Sequence, residues 1–368
     1  MWLPVIYYGI IVINLIVFLT GKKIKWISLP SALFLILFVM GKRYDGSFIA
    51  FDLDSYQRSY EDIGSFISFE LGYKSLCLLG NSLDFSFETF YMVLVAIIIV
   101  TMLIAVVRIG GNLHLFIASW LIYFVLITMD QLKNQSAVAV LMISVLPFIT
   151  SKKRSLKHEL IALAIASLFH FSFILYSIPL VLTYKKNFKS ARLWSIVCLA
   201  LFFILMATSS SFLNGILNSF VLASDDADKY AGYVGSHTRL SPLLILSIYA
   251  VSVFSVYLNY KRNKRFNGSV NKFSYESIGM YIMFMLFACI LLPTLLVNTA
   301  FYRLFRDLSF IGIAYMSLNT SYKTSTFLER SQVMFFSLLI CVGWFVFDII
   351  VKGYQLDYAH YFFNNAIL

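Results

Sequence analysis

Charge is what this chain has least of. Asp, Glu, Lys and Arg supply 13% of its 368 residues, where a soluble domain carries about 25%. Apolar residues make up 60% and mean hydropathy is +0.82, which excludes a water-soluble globule. Cysteine is scarce as well. The four thiols have no paired spacing, and Cys198, Cys289 and Cys341 lie in apolar runs, so neither a disulfide framework nor a thiolate metal site is indicated. The histidines (His114, His158, His170, His237, His360) are scattered without ligand spacing, and no metal is expected. No Walker loop, GxGxxG after a strand, HExxH, CxxC or GxSxG occurs. No cofactor is therefore called for. The apolar runs are nearly free of ionisable residues, which argues against an intramembrane proton or ion relay.

What charge there is, is sorted. One set of loops holds Lys22, Lys23, Lys25, Arg108, Lys152, Lys153, Arg154, Lys157, Lys185, Lys186, Lys189, Arg192, Lys261, Arg262, Lys264, Arg265, Lys272, Lys323 and Arg330. Its only acids are Glu159, Glu276 and Glu329. The alternate loops hold nearly every other acid, including Asp45, Asp52, Asp54, Glu61, Asp62, Glu70, Asp225, Asp226 and Asp228. This is the positive-inside pattern of a polytopic membrane protein. The net charge of +11 belongs to loops that face anionic lipid headgroups, so it gives no reason to invoke nucleic acid.

A crossing takes about 20 apolar residues. Runs at 3–20, 27–41, 90–107, 113–129, 136–150, 159–170, 171–184, 193–210, 241–260, 275–297, 308–320 and 332–351 predict an all-α bundle of about twelve segments. The stretch 159–184 reads either as one helix or as two short ones. One helix puts Lys185 and Arg192 outside. Two restore the charge rule, leave both termini outside and place His170 at an outward tip. The first run has no basic segment before it and no small-residue cleavage site after it, so it reads as a retained span. The whole chain, 1–368, reads as one membrane domain. A long outer loop, 42–89, contains spacing suited to short amphipathic helices at the interface. A second outer segment, 211–240, is rich in Ser, Asp, Gly and Tyr, and suits a cover over a site.

Ionisable residues gather at the outer edge of the bilayer: Arg43, Asp45, Asp52, Asp54, Arg58, Lys133, His170, Arg303 and Arg306, with Tyr56, Asn134 and Gln135 among them. The plain reading of each is interfacial anchoring, and of His170 a satisfied buried histidine. Arg303 and Arg306 resist that reading. They lie at the boundary the charge rule disfavours, three residues apart and so on one helical face. A paired guanidinium face at headgroup depth matches a phosphate or diphosphate.

The same residues carry a resemblance. Arg43-Tyr44, then Asp52-Leu53-Asp54-Ser55-Tyr56, then Glu70-Leu71-Gly72-Tyr73 follow in order. Leu132-Lys133-Asn134-Gln135-Ser136-Ala137 opens a small-residue span. Ala166-Ser167-Leu168-Phe169-His170-Phe171-Ser172 ends another, and Phe301-Tyr302-Arg303-Leu304-Phe305-Arg306 opens a late one. Over about residues 40–310 the chain resembles the EpsG/Wzy-type bacterial polysaccharide polymerases. Lys133 stands where that family usually has Arg, and either Asp52 or Asp54 answers to its carboxylate.

The resemblance implies polymerisation of undecaprenyl-diphosphate-linked repeat units at the outer face of the bacterial inner membrane, in a cavity open outward. The implied partners are those lipid-linked glycans, membrane lipids and a chain-length regulator protein. Arg303 and Arg306 would stabilise the leaving diphosphate. His170 would take the acceptor's proton, with Asp52 or Asp54 orienting it; alternatively the carboxylate is the base and His170 donates to the diphosphate. Arg43, Tyr44, Tyr56, Glu70, Lys133 and Gln135 would bind substrate. Rival classes are a flippase for the same lipid-linked glycan, an O-acyltransferase or glycan ligase, and a scaffold.

The topology has a direct test. With native thiols removed, Asn187→Cys is expected to label with an impermeant maleimide only after the membrane is opened. Labelling in intact cells would make 159–184 a single span.

Overall fold

The computed structural model describes residues 2–42, 51–62, 70–149, 155–185, 187–208, 240–265, 272–297, 301–320, 324–348, 363, 365 and 367–368. Among them all regular structure is helical, apart from an isolated bridge between Lys42 and Asn365. Six helices are long and apolar enough to cross a membrane: Trp2–Thr20, Phe87–Ile109, Leu113–Asp130, Phe188–Ala207, Ser241–Lys264 and Phe327–Val346. Shorter apolar helices cover Lys25–Met40, Phe171–Lys185 and Glu276–Leu291.

Local chemistry sets the boundaries. The Ser86 side chain accepts from the Thr89 N–H and opens α5 (Phe87–Ile109), the fifth helix after α1 (Trp2–Thr20), α2 (Lys25–Met40), α3 (Phe51–Glu61) and α4 (Leu71–Ser82). Gly110 ends α5 at φ 81°, a left-handed conformation that favours glycine. Asn112 then accepts from the His114 and Leu115 N–H groups to start α6 (Leu113–Ser119). A wider π turn, Trp120–Phe124, carries α6 into α7 (Val125–Asp130). The chain breaks at Gln131 (φ −109°, ψ 62°) and restarts as α8 (Leu132–Ile149).

The stretch 159–184 is two helices. α9 (Leu156–Phe169) stops where His170 turns extended, at φ −146° and ψ 109°. A 3-10 stretch, Phe171–Tyr176, leads into α10 (Ser177–Lys185). The Tyr184 hydroxyl donates to Glu159 Oε1, so the start of α9 lies beside the end of α10. The segment is a hairpin with His170 at its tip.

Then come α11 (Phe188–Thr208), α12 (Leu240–Arg265) and α13 (Lys272–Ala288). Where 275–297 reads as one span, Pro293 divides it into α13 with a 3-10 turn and a short α14 (Thr294–Val297). Proline lacks the N–H that a continuous helix needs and crowds the turn before it. The last two helices are α15 (Tyr302–Met316) and α16 (Phe327–Val346), the latter opened by a capping box of Thr326 and Glu329. The segment 42–89 contains α3 and α4, as its amphipathic spacing predicts. The 211–240 segment lies outside the described residues except for Leu240.

α15 is the axis of the bundle. Every residue from Leu304 to Met316 is buried, and α6, α12, α13 and α16 pack around it. Its 15 residues rise about 22 Å, less than the roughly 30 Å of a hydrocarbon core. A helix enclosed by protein need not reach either headgroup layer. Tyrosines tie it in: Tyr176 donates to the Leu304 carbonyl and Tyr281 to the Leu308 carbonyl, both at 2.6 Å. The Tyr281 and Tyr315 rings stack with centroids 4.1 Å apart. The sequence predicts a span at 308–320. The helix instead starts at Tyr302, which takes Arg306 inside and Arg303 to the margin of the core, because each finds partners there.

Candidate active site

Interrupted helices expose ends, and ends present unspent polar groups. Here the break at Gln131, the hairpin tip at His170, the head of α15 and the first turn of α3 converge.

Arg306 is the buried member, at 0% exposure. Its Nη2 donates to Gln131 Oε1 at 2.7 Å and its Nη1 to the Tyr302 hydroxyl at 3.1 Å. Nε lies 3.5 Å from Asp307 Oδ1, and Nη1 lies 3.8 Å from Asp348 Oδ2. Both carboxylates are held from behind. Asn134 Nδ2 donates to both oxygens of Asp307, at 3.2 and 3.1 Å. Tyr123, on the π turn, donates to Asp348. One charge thus fixes the start of α8, the π turn and the end of α16 against the head of α15.

Arg303, one turn earlier, is only part-buried. Its Nη2 pairs with Asp52 Oδ2 at 3.3 Å. Its Nε is buried without a hydrogen-bond partner among the described residues. The α3 turn that carries Asp52 stands beside Asp130, whose carboxylate feels the Asp52 and Arg303 charges. Asp130 Oδ1 has no partner among the described residues, nor do Asn134 Oδ1 and Gln135 Oε1. Buried polar atoms left unspent are rare and mark places where a ligand or water completes the bonding.

Lys133 pairs with Glu70 at 2.6 Å. Its ammonium also stands over the rings of Tyr56 and Tyr73, 5.3 and 5.4 Å from their centroids. Burial, then the Asp52 charge, pushes the Tyr56 hydroxyl well above the ordinary phenol value, and burial does the same to Tyr73. Both stay protonated. Gly72 lies against the end of α9: a Cβ there would come within 3.0 Å of the Leu168 backbone carbonyl. The Glu70–Tyr73 motif is thereby pressed onto the turn that ends in His170. His170 is half-buried, with Nδ1 3.1 Å from the Ser172 hydroxyl. The charges of Arg303, Lys133 and Arg306, all positive, act on its ring.

So Asp52, Tyr56, Glu70, Lys133, Gln135, His170, Arg303 and Arg306 belong to one region. Arg43 and Tyr44 lie outside the described residues, as does the side chain of Asp54 on α3. Sequence reasoning passed over Asp130, Gln131, Asp307 and Asp348. Asp130 left a signal: an acid closing an apolar run, three residues before the Lys133 motif.

A family model described as the EpsG family matches residues 6–363. The chain belongs to the EpsG family. This is a family of Wzy-type polysaccharide polymerases. No curated protein and no solved structure matches the chain. The family match spans every motif described here, and all those whose side chains are described meet at the head of α15.

The two arginines of this EpsG-family chain differ in a way that stability measurements read. Arg306→Ala strands Asp307 and Asp348 in the interior and is expected to cost about 3–5 kcal/mol. The solubilised protein should melt well below wild type, whereas Arg303→Ala should melt close to it. Equal melting of Arg306→Ala and wild type would contradict the anchoring role.

Proposed function

We propose that this chain polymerises oligosaccharide repeat units carried on undecaprenyl diphosphate, at the outer face of the bacterial cytoplasmic membrane. About twelve segments, counting the hairpin as two, bring the basic loops to the cytosol and the arginine end outward, where a cavity opens to the exterior. The observation that carries the reading is Arg303. It is a guanidinium with an unspent donor, beside two carboxylates, in a chain of a polymerase family.

In this reading the C1–O bond between the growing glycan and its diphosphate breaks. A hydroxyl of a second lipid-linked unit forms the new bond at C1, and its proton passes to a carboxylate. The diphosphate departs with the bond's electron pair. Arg303 holds the charge that develops on it, and Lys133 adds to the positive field. Arg306 touches no substrate; it positions Arg303 by fixing the head of α15. Asp52 and Asp130 flank the first turn of α3, and Asp130 offers a free buried oxygen to the acceptor hydroxyl. His170 is assigned as a neutral donor to the diphosphate rather than as the base. Burial first, and then the three positive charges around it, disfavour the imidazolium, so it is a poor proton acceptor. Tyr56, Tyr73 and Glu70 line the sugar side. A chain-length regulator would act on the same outer face.

Reconstituted polymerisation of lipid-linked repeat units tests this. Arg303→Ala should lose about 10²–10³-fold in rate with insertion intact, as loss of one charge-stabilising donor does. Arg303→Lys should recover part of that, since a point charge lacks the planar fork. Wild-type rate for Arg303→Ala would remove the proposal's foundation.

The base assignment has its own test. His170→Gln keeps a donor but takes no proton near neutrality, and should polymerise within about tenfold of wild type. Asp130→Asn should be inactive. The reverse outcome, with His170→Gln dead and Asp130→Asn active, returns the base role to His170.

A further inference from the structure

At the opposite end of α15, about 20 Å from Arg303 along its axis, lies a second cationic feature. A cavity of about 290 Å³ opens between α12 and α16, lined by Asn259, Lys261, Arg262, Glu329, Gln332 and Phe336 among others. Arg262 is buried, and its Nη2 donates to Asn259 Oδ1 and, at 3.0 Å, to the Leu318 carbonyl. Both acceptors are neutral. Its Nε is buried with no hydrogen-bond partner among the described residues. A buried guanidinium whose hydrogen-bond acceptors are all neutral has its charge met only through space.

The neighbours supply one anion, which acts on Arg262 through space and is shared with two other cations. Glu329 is the acid here, and its Oε2 accepts from the Thr326 N–H at 2.8 Å in the capping box. Arg330 adds positive charge, with its guanidinium spent on the Leu19 and Ser325 carbonyls. Lys261 is exposed and stands 5.2 Å over the Tyr257 ring. Three cations thus face one acid.

Below the cavity the same seam turns apolar. Phe254 of α12 and Phe335 of α16 are exposed, and the Phe254 and Phe336 rings meet edge-to-face at 5.8 Å. A cationic hollow over an exposed aromatic seam matches an anionic head on an apolar tail.

We propose that this cavity binds an anionic phospholipid, with its phosphate on Arg262 Nε and its chains along the Phe254–Phe336 seam. Charge complementarity selects the occupant, since a buried guanidinium favours phosphate geometry and the excess charge disfavours a zwitterion. The site lies at the far end of the bundle from the candidate active site and does not depend on the polymerase reading.

The test uses the full-length protein, stripped of lipid in a neutral detergent. Phosphatidylglycerol should raise the melting midpoint and stay bound in native mass spectrometry. Phosphatidylcholine should do neither, and inorganic phosphate should not reproduce the shift. Arg262→Gln should abolish the difference between lipids. Because that variant also loses the bond to Leu318, Gln332→Glu provides an independent check. Gln332 is exposed on the cavity rim, and a carboxylate there should weaken phosphatidylglycerol binding about tenfold without moving the lipid-free midpoint. Equal binding of both lipids, or unchanged binding to Gln332→Glu, would overturn the proposal. So would a full shift from inorganic phosphate alone, which would make this a site for a soluble anion. Lipid retention reads no glycosyl transfer, so its outcome is separable from that of the polymerisation assay.

Discussion

A guanidinium buried without water costs several kcal/mol unless its charge and its donors are met. Arg306 is that group here, and the half of the fold around the head of α15 is arranged to meet it. Gln131 is available because the helix stops there, and Tyr302 because it lies four residues earlier on the same face. Asp348 reaches it from the end of α16, held by a tyrosine that the π turn swings inward. Each of these irregularities weakens a helix taken alone. Together they close a network around one charge, and the stability they give up locally is offset there.

Closing that network leaves a neighbouring set of groups open. Arg303 sits one turn from Arg306 on the same rigid helix, so its guanidinium is carried to the margin of the buried cluster. Asp130 stands beside the first turn of α3, and that turn delivers Asp52 to Arg303. A site placed by helix ends on a packed axis is held more tightly than one placed by loops, which suits the proposed reaction, in which two large substrates are held in register.

Much of this was legible in the sequence, because two of its signals are strong. The sorting of Lys and Arg against Asp and Glu predicted a helical membrane protein, and it favoured a hairpin over a single span at 159–184. The Glu159–Tyr184 bond shows the hairpin directly. The order of polar motifs pointed to residues that do meet, including the Glu70–Tyr73 motif against the end of α9. What the sequence hid were pairings. Nothing local says that Asn134 answers Asp307, or that Asp348 lies beside Arg306, since those contacts join residues far apart in the chain. The head of α15 was also hidden. Hydropathy starts a span after the last charge, but a buried helix whose charges are paired starts before them.

The two arginines show why burial alone does not find a site. By exposure Arg306 is the more extreme, and burial alone would single it out. Yet its Nη donors have partners and acids stand at its other side, so little is left with which to hold anything else. Arg303, Arg306 and Arg262 each keep a buried Nε with no hydrogen-bond partner among the described residues, but that of Arg306 faces the Asp307 carboxylate at 3.5 Å, so Arg303 and Arg262 are the informative pair. Evolution of a stable fold alone would favour filling such positions with apolar residues of similar volume. An unspent donor held in place by a spent network makes sense when something from outside the chain completes it. On that argument the two proposed anion sites lie one at each end of the same central helix, with a packed apolar axis between them.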